Sequence, residues 1–362
     1  MAIYKIFPTK DATLYSSYPN MNTGNDAILE VSNLFPNTGQ SPRVARTILD
    51  FNENEIVDII DNKIKSGSFP TDNYKTYIKL YAAEVQGVNQ DTTLEIRLVS
   101  GSWNNGSGQY LDSPQSTNGV SWNYKLSSGS DSWGTPGGDI RNTPGPGSSP
   151  VEENFSNRTI KDLNLDVTTA TNMIYNNILS MGTDSYMVKL TGSIEFISGS
   201  SHQPQFKFFS VDTNTIYPPQ LEFRWEDFSY ETGSLSPLTT SDVKMALDNN
   251  SGIFYSESIN RFRLNVRPEF PIRTFQTSSL YTTNHYLPTA SYYAIKDLDT
   301  DEFVIDFDSS YTKISCDSNG NYFDIYMNGL EPERYYKILV QTTISGSTIV
   351  KDEDYIFKVV NG

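Results

Sequence analysis

The chain has 362 residues, with 27 Lys and Arg against 43 Asp and Glu, a formal charge of −16. Phosphate backbones and anionic bilayers repel such a chain, and no basic cluster offsets the charge, so nucleic acid is not an expected partner; no run of eighteen apolar residues is present to span a membrane. Charged residues are only 19% and aromatics 13%, the reverse of a disordered chain and the composition of a β-rich protein with a large polar surface.

The opening MAIYKIFPTKDATLYS has its apolar run broken by Lys5, Pro8 and Lys10, so no secretory signal is expected there. Strand-like runs follow at 27–31, 45–51, 76–81, 93–99, 186–196 and 205–211, rich in Tyr, Ile, Val, Phe and Thr. In 93–98 the apolar residues alternate, which puts Leu94, Ile96 and Leu98 on one face and their polar neighbours outward. Asn37-Thr38-Gly39, Asn104-Asn105-Gly106 and Asn118-Gly119 are turn signals. Two short helices are predicted. Asn52 caps 53–64, with Ile56, Ile59, Ile60 and Ile64 at helical spacing, and 169–180 repeats that spacing with Gly182 as a stop. A third candidate, 241–248, is short.

Residues 101–150 differ in kind. They hold Trp103, Trp122 and Trp133 among Gly, Ser, Asn and Pro, and end in Thr143-Pro144-Gly145-Pro146-Gly147-Ser148-Ser149-Pro150, the composition of long loops. A Ser/Thr/Gly/Pro linker is expected at 226–240. Beyond it come strand-like runs at 253–255, 262–266, 292–295, 303–307, 322–327, 335–343 and 355–360, the number that suits an immunoglobulin-like domain. The fold class read from the chain is all-β: a jelly-roll-like sandwich with short capping helices over 1–225, and an immunoglobulin-like sandwich over 241–362.

Candidate chemistry is sparse. His202 and His285 are the two histidines, and no Gly-x-Ser-x-Gly elbow accompanies them, so a hydrolytic triad and a zinc site are both unexpected. The single cysteine, Cys316, excludes an intramolecular disulfide and reads as a small buried hydrophobe. Glycoside hydrolysis needs two carboxyls across a groove, for which Asp11, Asp139, Glu152 and Glu153 are candidates among many surface acids. Calcium is the ion that closely spaced turn oxygens would take. The candidates are Asp317, Asn319 and Asn321, with 297–302 as a second acidic turn, although Asp and Asn also build turns unaided. Trp103, Trp122 and Trp133 support two readings: exposed, they are platforms for sugar rings; buried, they anchor loops or an interface.

Asp11-Ala12-Thr13-Leu14-Tyr15-Ser16, Pro19-Asn20-Met21-Asn22-Thr23-Gly24 and Ile28-Leu29-Glu30-Val31 resemble the opening of DNRLRE-type domains. Arg46-Thr47-Ile48-Leu49-Asp50-Phe51 looks like that family's Arg-x-Leu-Leu-x-Phe strand. Tyr77-Ile78-Lys79-Leu80-Tyr81, Trp133-Gly134-Thr135-Pro136-Gly137-Gly138-Asp139 and Pro218-Pro219-Gln220-Leu221 follow in the family's order. The resemblance implies a β-sandwich module of the kind found in carbohydrate-active and cell-surface proteins. Leu330-Glu331-Pro332-Glu333-Arg334-Tyr335-Tyr336 resembles the fibronectin type III pattern and implies a tyrosine corner at Tyr336.

Together the two halves resemble structural proteins of tailed bacteriophages, whose virions assemble inside the cell and act outside it. The resulting expectation is a non-enzymatic virion component of the tail or baseplate, in multiple copies, with other virion proteins as partners. A carbohydrate-binding adhesion module for a host surface glycan is the alternative, and a head or neck decoration protein the second alternative.

Overall fold

The computed structural model describes residues 2–34, 41–67, 70–88, 90–141, 151–155, 162–180, 183–196, 202–248, 250–272 and 282–362. The expected turn at 37–39, the helix stop at Gly182 and the Pro/Gly-rich loop end at 142–150 fall outside them. The chain is all-β. In order, its first strands are β1 Ala2–Ile6, β2 Pro8–Tyr15, β3 Ile28–Leu34, β4 Arg43–Phe51, β5 Tyr74–Leu80, β6 Ala82–Gln86, β7 Thr92–Ser100, β8 Tyr124–Ser127, β9 Ser130–Ser132, β10 Val151–Phe155, β11 Leu163–Asp166, β12 Asp184–Leu190 and β13 Gln205–Phe209. The helices are α1 Glu53–Asp58, α2 Thr168–Leu179 and α3 Gly192–Glu195. Then come β14 Gln220–Trp225, β15 Ser236–Pro237, β16 Val243–Asp248, β17 Ile253–Tyr255, β18 Ile259–Pro268, β19 His285–Tyr286, β20 Ser291–Asp297, β21 Phe303–Ile305, β22 Ser315–Asp317, β23 Gly320–Tyr326, β24 Tyr335–Ile344 and β25 Ser347–Val360.

Two compact units divide the chain. The N-terminal unit comprises 6–61 and 75–222, and the C-terminal unit comprises 1–5, 62–74 and 223–362. In the N-terminal unit the main sheet runs β10-β7-β12-β4-β3-β13-β6, with β2 also paired to β4. Its strands carry Leu94, Ile96, Leu98, Val188, Leu190, Leu29, Val31, Phe206 and Phe208 into the interior. A separate antiparallel pairing joins β11 to β5. The expected Asn52 cap is present: its Oδ1 accepts from the N–H groups of Asn54 (3.0 Å) and Glu55 (3.4 Å). After six residues α1 passes into a π-helical turn over Ile59–Lys65. A buried hydroxyl chain, Thr76 to Thr171 (2.7 Å) to Tyr186 (2.8 Å), ties β5, α2 and β12 together.

The C-terminal unit is a sandwich of two sheets, ordered β16-β18-β23-β22 and β17-β25-β24-β20-β21. Its core includes Phe262, Leu264 and Val266 from β18, Phe323 and Ile325 from β23, Tyr293 and Ile295 from β20, and Ile338 and Val340 from β24. Period-two alternation therefore builds both faces of this core. Tyr336 is the tyrosine corner: it is buried, and its hydroxyl donates to the Glu331 carbonyl at 2.9 Å.

Three expectations are corrected. Residues 226–240 are not a free linker but lie on the C-terminal unit, where Tyr230 bridges to Cys316 and Leu238 enters the core. The run 186–196 is not one strand, because β12 stops at Leu190 and α3 follows. Finally, 243–248 is a strand, with Val243 and Met245 buried and Lys244 and Ala246 exposed between them.

Candidate functional site

Two of the three loop tryptophans are buried inside the N-terminal unit. Trp103 and Trp133 are only 2% and 4% exposed and pack with Val120 on Ala12, Leu14, Ile48, Val99 and Met187. Each indole N–H is satisfied, Trp103 by Ser185 Oγ and Trp133 by the Ser121 carbonyl, both at 2.9 Å. Trp122 is half-buried beneath the Arg46 guanidinium, 4.9 Å from its ring centroid. Trp103 and Trp133 therefore do not form an exposed sugar platform, since a ring sealed against a sheet has no face to offer a ligand; Trp122 is only partly covered.

Asn22, from the Pro-Asn-Met-Asn-Thr-Gly motif, pins the same loops. Its Nδ2 donates to the carbonyls of Asn105 (2.7 Å) and Val120 (2.9 Å), and its Oδ1 accepts from Gly108 N–H (2.8 Å). Gly24 is required there because a Cβ would lie 1.9 Å from the Asn105 carbonyl oxygen. Gly137 has φ +87°, and a Cβ on it would meet Arg46 and Trp122 at 2.8 Å.

Beside the tryptophans lies a buried charge network. The Arg46 guanidinium donates to both Glu195 oxygens (2.7 and 3.0 Å) and to the Gly137 carbonyl (2.7 Å). Lys189 Nζ sits 3.0 Å from Glu195 and 2.8 Å from Glu95. Glu95, expected to point outward, is buried by this pairing. These pairs connect β4, β7, β12 and α3.

The expected calcium ligands do not converge. Asp317 is engaged by both Arg263 guanidinium nitrogens (2.9 and 2.7 Å), while its Oδ1 also takes the Asn319 N–H at 2.8 Å. Asn321 is buried and turned toward Leu287 N–H and the His285 carbonyl, both at 2.8 Å. In the second acidic turn Asp297 is claimed by Arg334 at 2.6 and 2.7 Å. A guanidinium in a carboxylate fork occupies the place a cation would need. Among the described residues no group of three His, Cys, Asp or Glu is placed to hold a metal.

The candidate catalytic groups are scattered. Asp11 is buried, which pushes its carboxyl up to about 7 even though Val211 N–H donates to it at 2.7 Å. Asp139 feels burial in the opposite sense to its hydrogen bonds. The N–H groups of Gly134 and Thr135 and the Lys125 ammonium outweigh burial and hold it below the usual range. Glu152 and Glu153 lie on the edge strand β10. His202 is buried against Thr92 Oγ1 (2.8 Å), and burial lowers its pKa; His285 belongs to the other unit. Burial also pushes the Cys316 thiol up to about 11, so it is a hydrophobe rather than a nucleophile.

An open groove of about 470 Å³ on the N-terminal unit holds the side chains that sequence reading missed. Ile28, Glu30, Ser32 and Leu34 project from alternate positions of β3, while Gln205 and Lys207 pair with them in register on β13. Tyr15, Tyr18 and Tyr110 form one wall, with Tyr110 5.0 Å from Tyr15 and 5.9 Å from Tyr18. Glu30 accepts from Ser32 Oγ (2.6 Å), Gln205 Nε2 (3.0 Å) and Tyr15 OH (3.3 Å), so its carboxylate is fixed. Asp26 takes the Tyr110 N–H on both oxygens at 3.1 Å, and burial raises its pKa. The strand at 27–31 was legible in the chain; that Tyr110 meets it was not.

No protein-family model matches the chain, and no curated protein is significantly similar to it. Among solved structures it is similar to a β-glucuronidase from Parabacteroides merdae (8% identity, 98% of this chain and 35% of that one, TM-score 0.24). It is also similar to a DUF4785 family protein from Legionella pneumophila (8%, 100% and 62%, TM-score 0.18). A third likeness is to a putative β-galactosidase from Bacteroides fragilis (10%, 97% and 41%, TM-score 0.20). The chain spans about a third of the length of the glucuronidase. Superpositions this loose carry no functional argument.

Proposed function

We propose that the chain is a non-enzymatic structural component of a tailed-bacteriophage virion, located in the tail or baseplate and working by protein–protein contacts. The observation that carries this reading is the burial of Trp103 and Trp133. It makes Trp103 and Trp133 part of the N-terminal unit's core instead of a displayed ligand platform. The composition agrees with it, since the surface is acidic and polar, the one cysteine is buried, and no described helix is long and apolar enough to cross a membrane.

The contact surface we assign is the outer face of the five-stranded sheet in the C-terminal unit. On this face Ile253 (59% exposed) and Tyr255 (62%) on β17 flank Ile356 on the neighbouring β25, and Tyr335 on β24 lies one strand further on, across Lys358. Clustered exposed apolar side chains of this kind mark interaction sites. The test is a mass-spectrometric inventory of purified particles from the source, with copy number. Stoichiometry matching tail or baseplate symmetry is the expected result, and absence from every particle overturns the reading. In particles carrying the chain, Tyr255→Asp is expected to abolish incorporation while the isolated protein keeps its melting temperature.

A further inference from the structure

We propose that the groove walled by Tyr15, Tyr18 and Tyr110 is a binding site for a neutral saccharide; Tyr110 comes from the same 101–150 stretch as the tryptophans, but the site is separate from the buried Trp103 and Trp133 rings and from the assembly face. Its parts are those a sugar needs. A pyranose has apolar C–H faces and a rim of hydroxyls, so it is held by an aromatic wall plus fixed polar acceptors and donors. Tyr18 and Tyr110 are about two-fifths exposed, in contrast to the sealed Trp103 and Trp133, and so present ring surface to solvent. Glu30 lies on the floor between them and β13, and Ser32, Gln205 and Tyr15 hold it still. A carboxylate already oriented by three donors loses little freedom when it accepts a sugar hydroxyl. The volume of about 470 Å³ lies in the ~300–1,000 Å³ range of small-molecule sites.

Charge selects the class of sugar. Two carboxylates, Asp26 and Glu30, and two cations, Arg43 and Lys207, line the groove, and Lys207 is already paired with Glu84 at 2.5 Å, which leaves Arg43 against the two carboxylates. The chain as a whole carries −16. A sialic or uronic acid would meet net repulsion, whereas a hexose or N-acetylhexosamine would not. Asp26 also braces the wall itself, since its grip on the Tyr110 N–H fixes where the 110 ring stands.

The experiment uses the full chain against an array of immobilised neutral, N-acetylated and uronic- or sialic-acid oligosaccharides. Titration calorimetry with the best hit follows, and with maltotriose and N,N′-diacetylchitobiose in any case. Tyr110→Ala and Glu30→Gln are compared with the parent, each checked for an unchanged melting temperature. Tyr18→Ala serves as a second wall variant if Tyr110→Ala proves unstable. The expected result is binding of a neutral oligosaccharide that weakens at least tenfold in the wall variants and in Glu30→Gln. Three outcomes each overturn the proposal: no binding at millimolar sugar, preference for acidic glycans, or neutral-glycan binding that the variants leave intact. None of them bears on the particle inventory, so this site and the structural role fail separately.

Discussion

Replacing Arg46 with Met keeps most of the side-chain volume and removes the charge, which isolates the contribution of the buried network. Arg46 makes three hydrogen bonds, two to Glu195, and both side chains are almost wholly enclosed. Breaking a buried pair by deleting one partner costs about 3–5 kcal/mol, because the other charge stays buried and uncompensated. Lys189, 3.0 Å from Glu195, supplies part of the missing charge, which places the cost near the lower end, about 3 kcal/mol. For a unit of this size that corresponds to a fall of about 6–12 °C in melting temperature. The double variant Arg46→Met/Glu195→Gln is expected to recover about 2 kcal/mol, since Lys189 then pairs with Glu95 alone and no carboxylate is orphaned. Tryptophan emission during urea unfolding is the assay. Trp103, Trp122 and Trp133 all belong to the N-terminal unit, and Trp122 lies directly under Arg46. A cost below about 1 kcal/mol for Arg46→Met, or strict additivity in the double variant, refutes the reasoning.

Two further outcomes follow from single buried groups. The Asp11 carboxyl titrates near 7 in the folded chain and near 3.8 when exposed, so folding favours its protonated form. The stability it contributes is full below pH 4 and is lost as pH rises toward 7, at a slope of up to about 1.4 kcal/mol per pH unit. Asp11→Asn, which can still accept from Val211, is expected to be more stable than the parent at pH 8, with the difference shrinking toward pH 4; equal pH profiles in urea denaturation contradict the assignment. In the other unit, Tyr336→Phe removes the corner hydrogen bond and leaves the Glu331 carbonyl without that donor. The expected cost is about 1–2 kcal/mol by thermal denaturation, and a neutral substitution would show the corner to be energetically idle.

Local pattern in the chain determined a good deal of this protein. The alternation in 262–266, 322–327 and 335–343 specified strands that do form a sandwich core, because period two fixes which side chains share a face whatever the partner strand is. Leu-x-Pro followed by Tyr336 specified the corner, and Asn52 specified the start of α1, since both bonds span fewer than six residues. Tertiary structure alone decided the rest. Arg46 meets Glu195 across 149 positions, Glu95 is covered by Lys189 across 94, and Asn22 reaches Val120 across 98. No local signal announces such partners, so an acidic residue on a strand reads as solvent-facing until its cation is seen. The same separation explains the tryptophans and the tyrosines. Trp103 and Trp133 read from the chain either as ligand platforms or as buried loop anchors, and they are sealed by Val99 and Met187; Tyr15 and Tyr18 looked unremarkable until Tyr110 closed a wall beside them. Whether an aromatic ring binds or packs depends on which of its faces the folded chain covers, and that is settled by contacts between residues far apart in sequence.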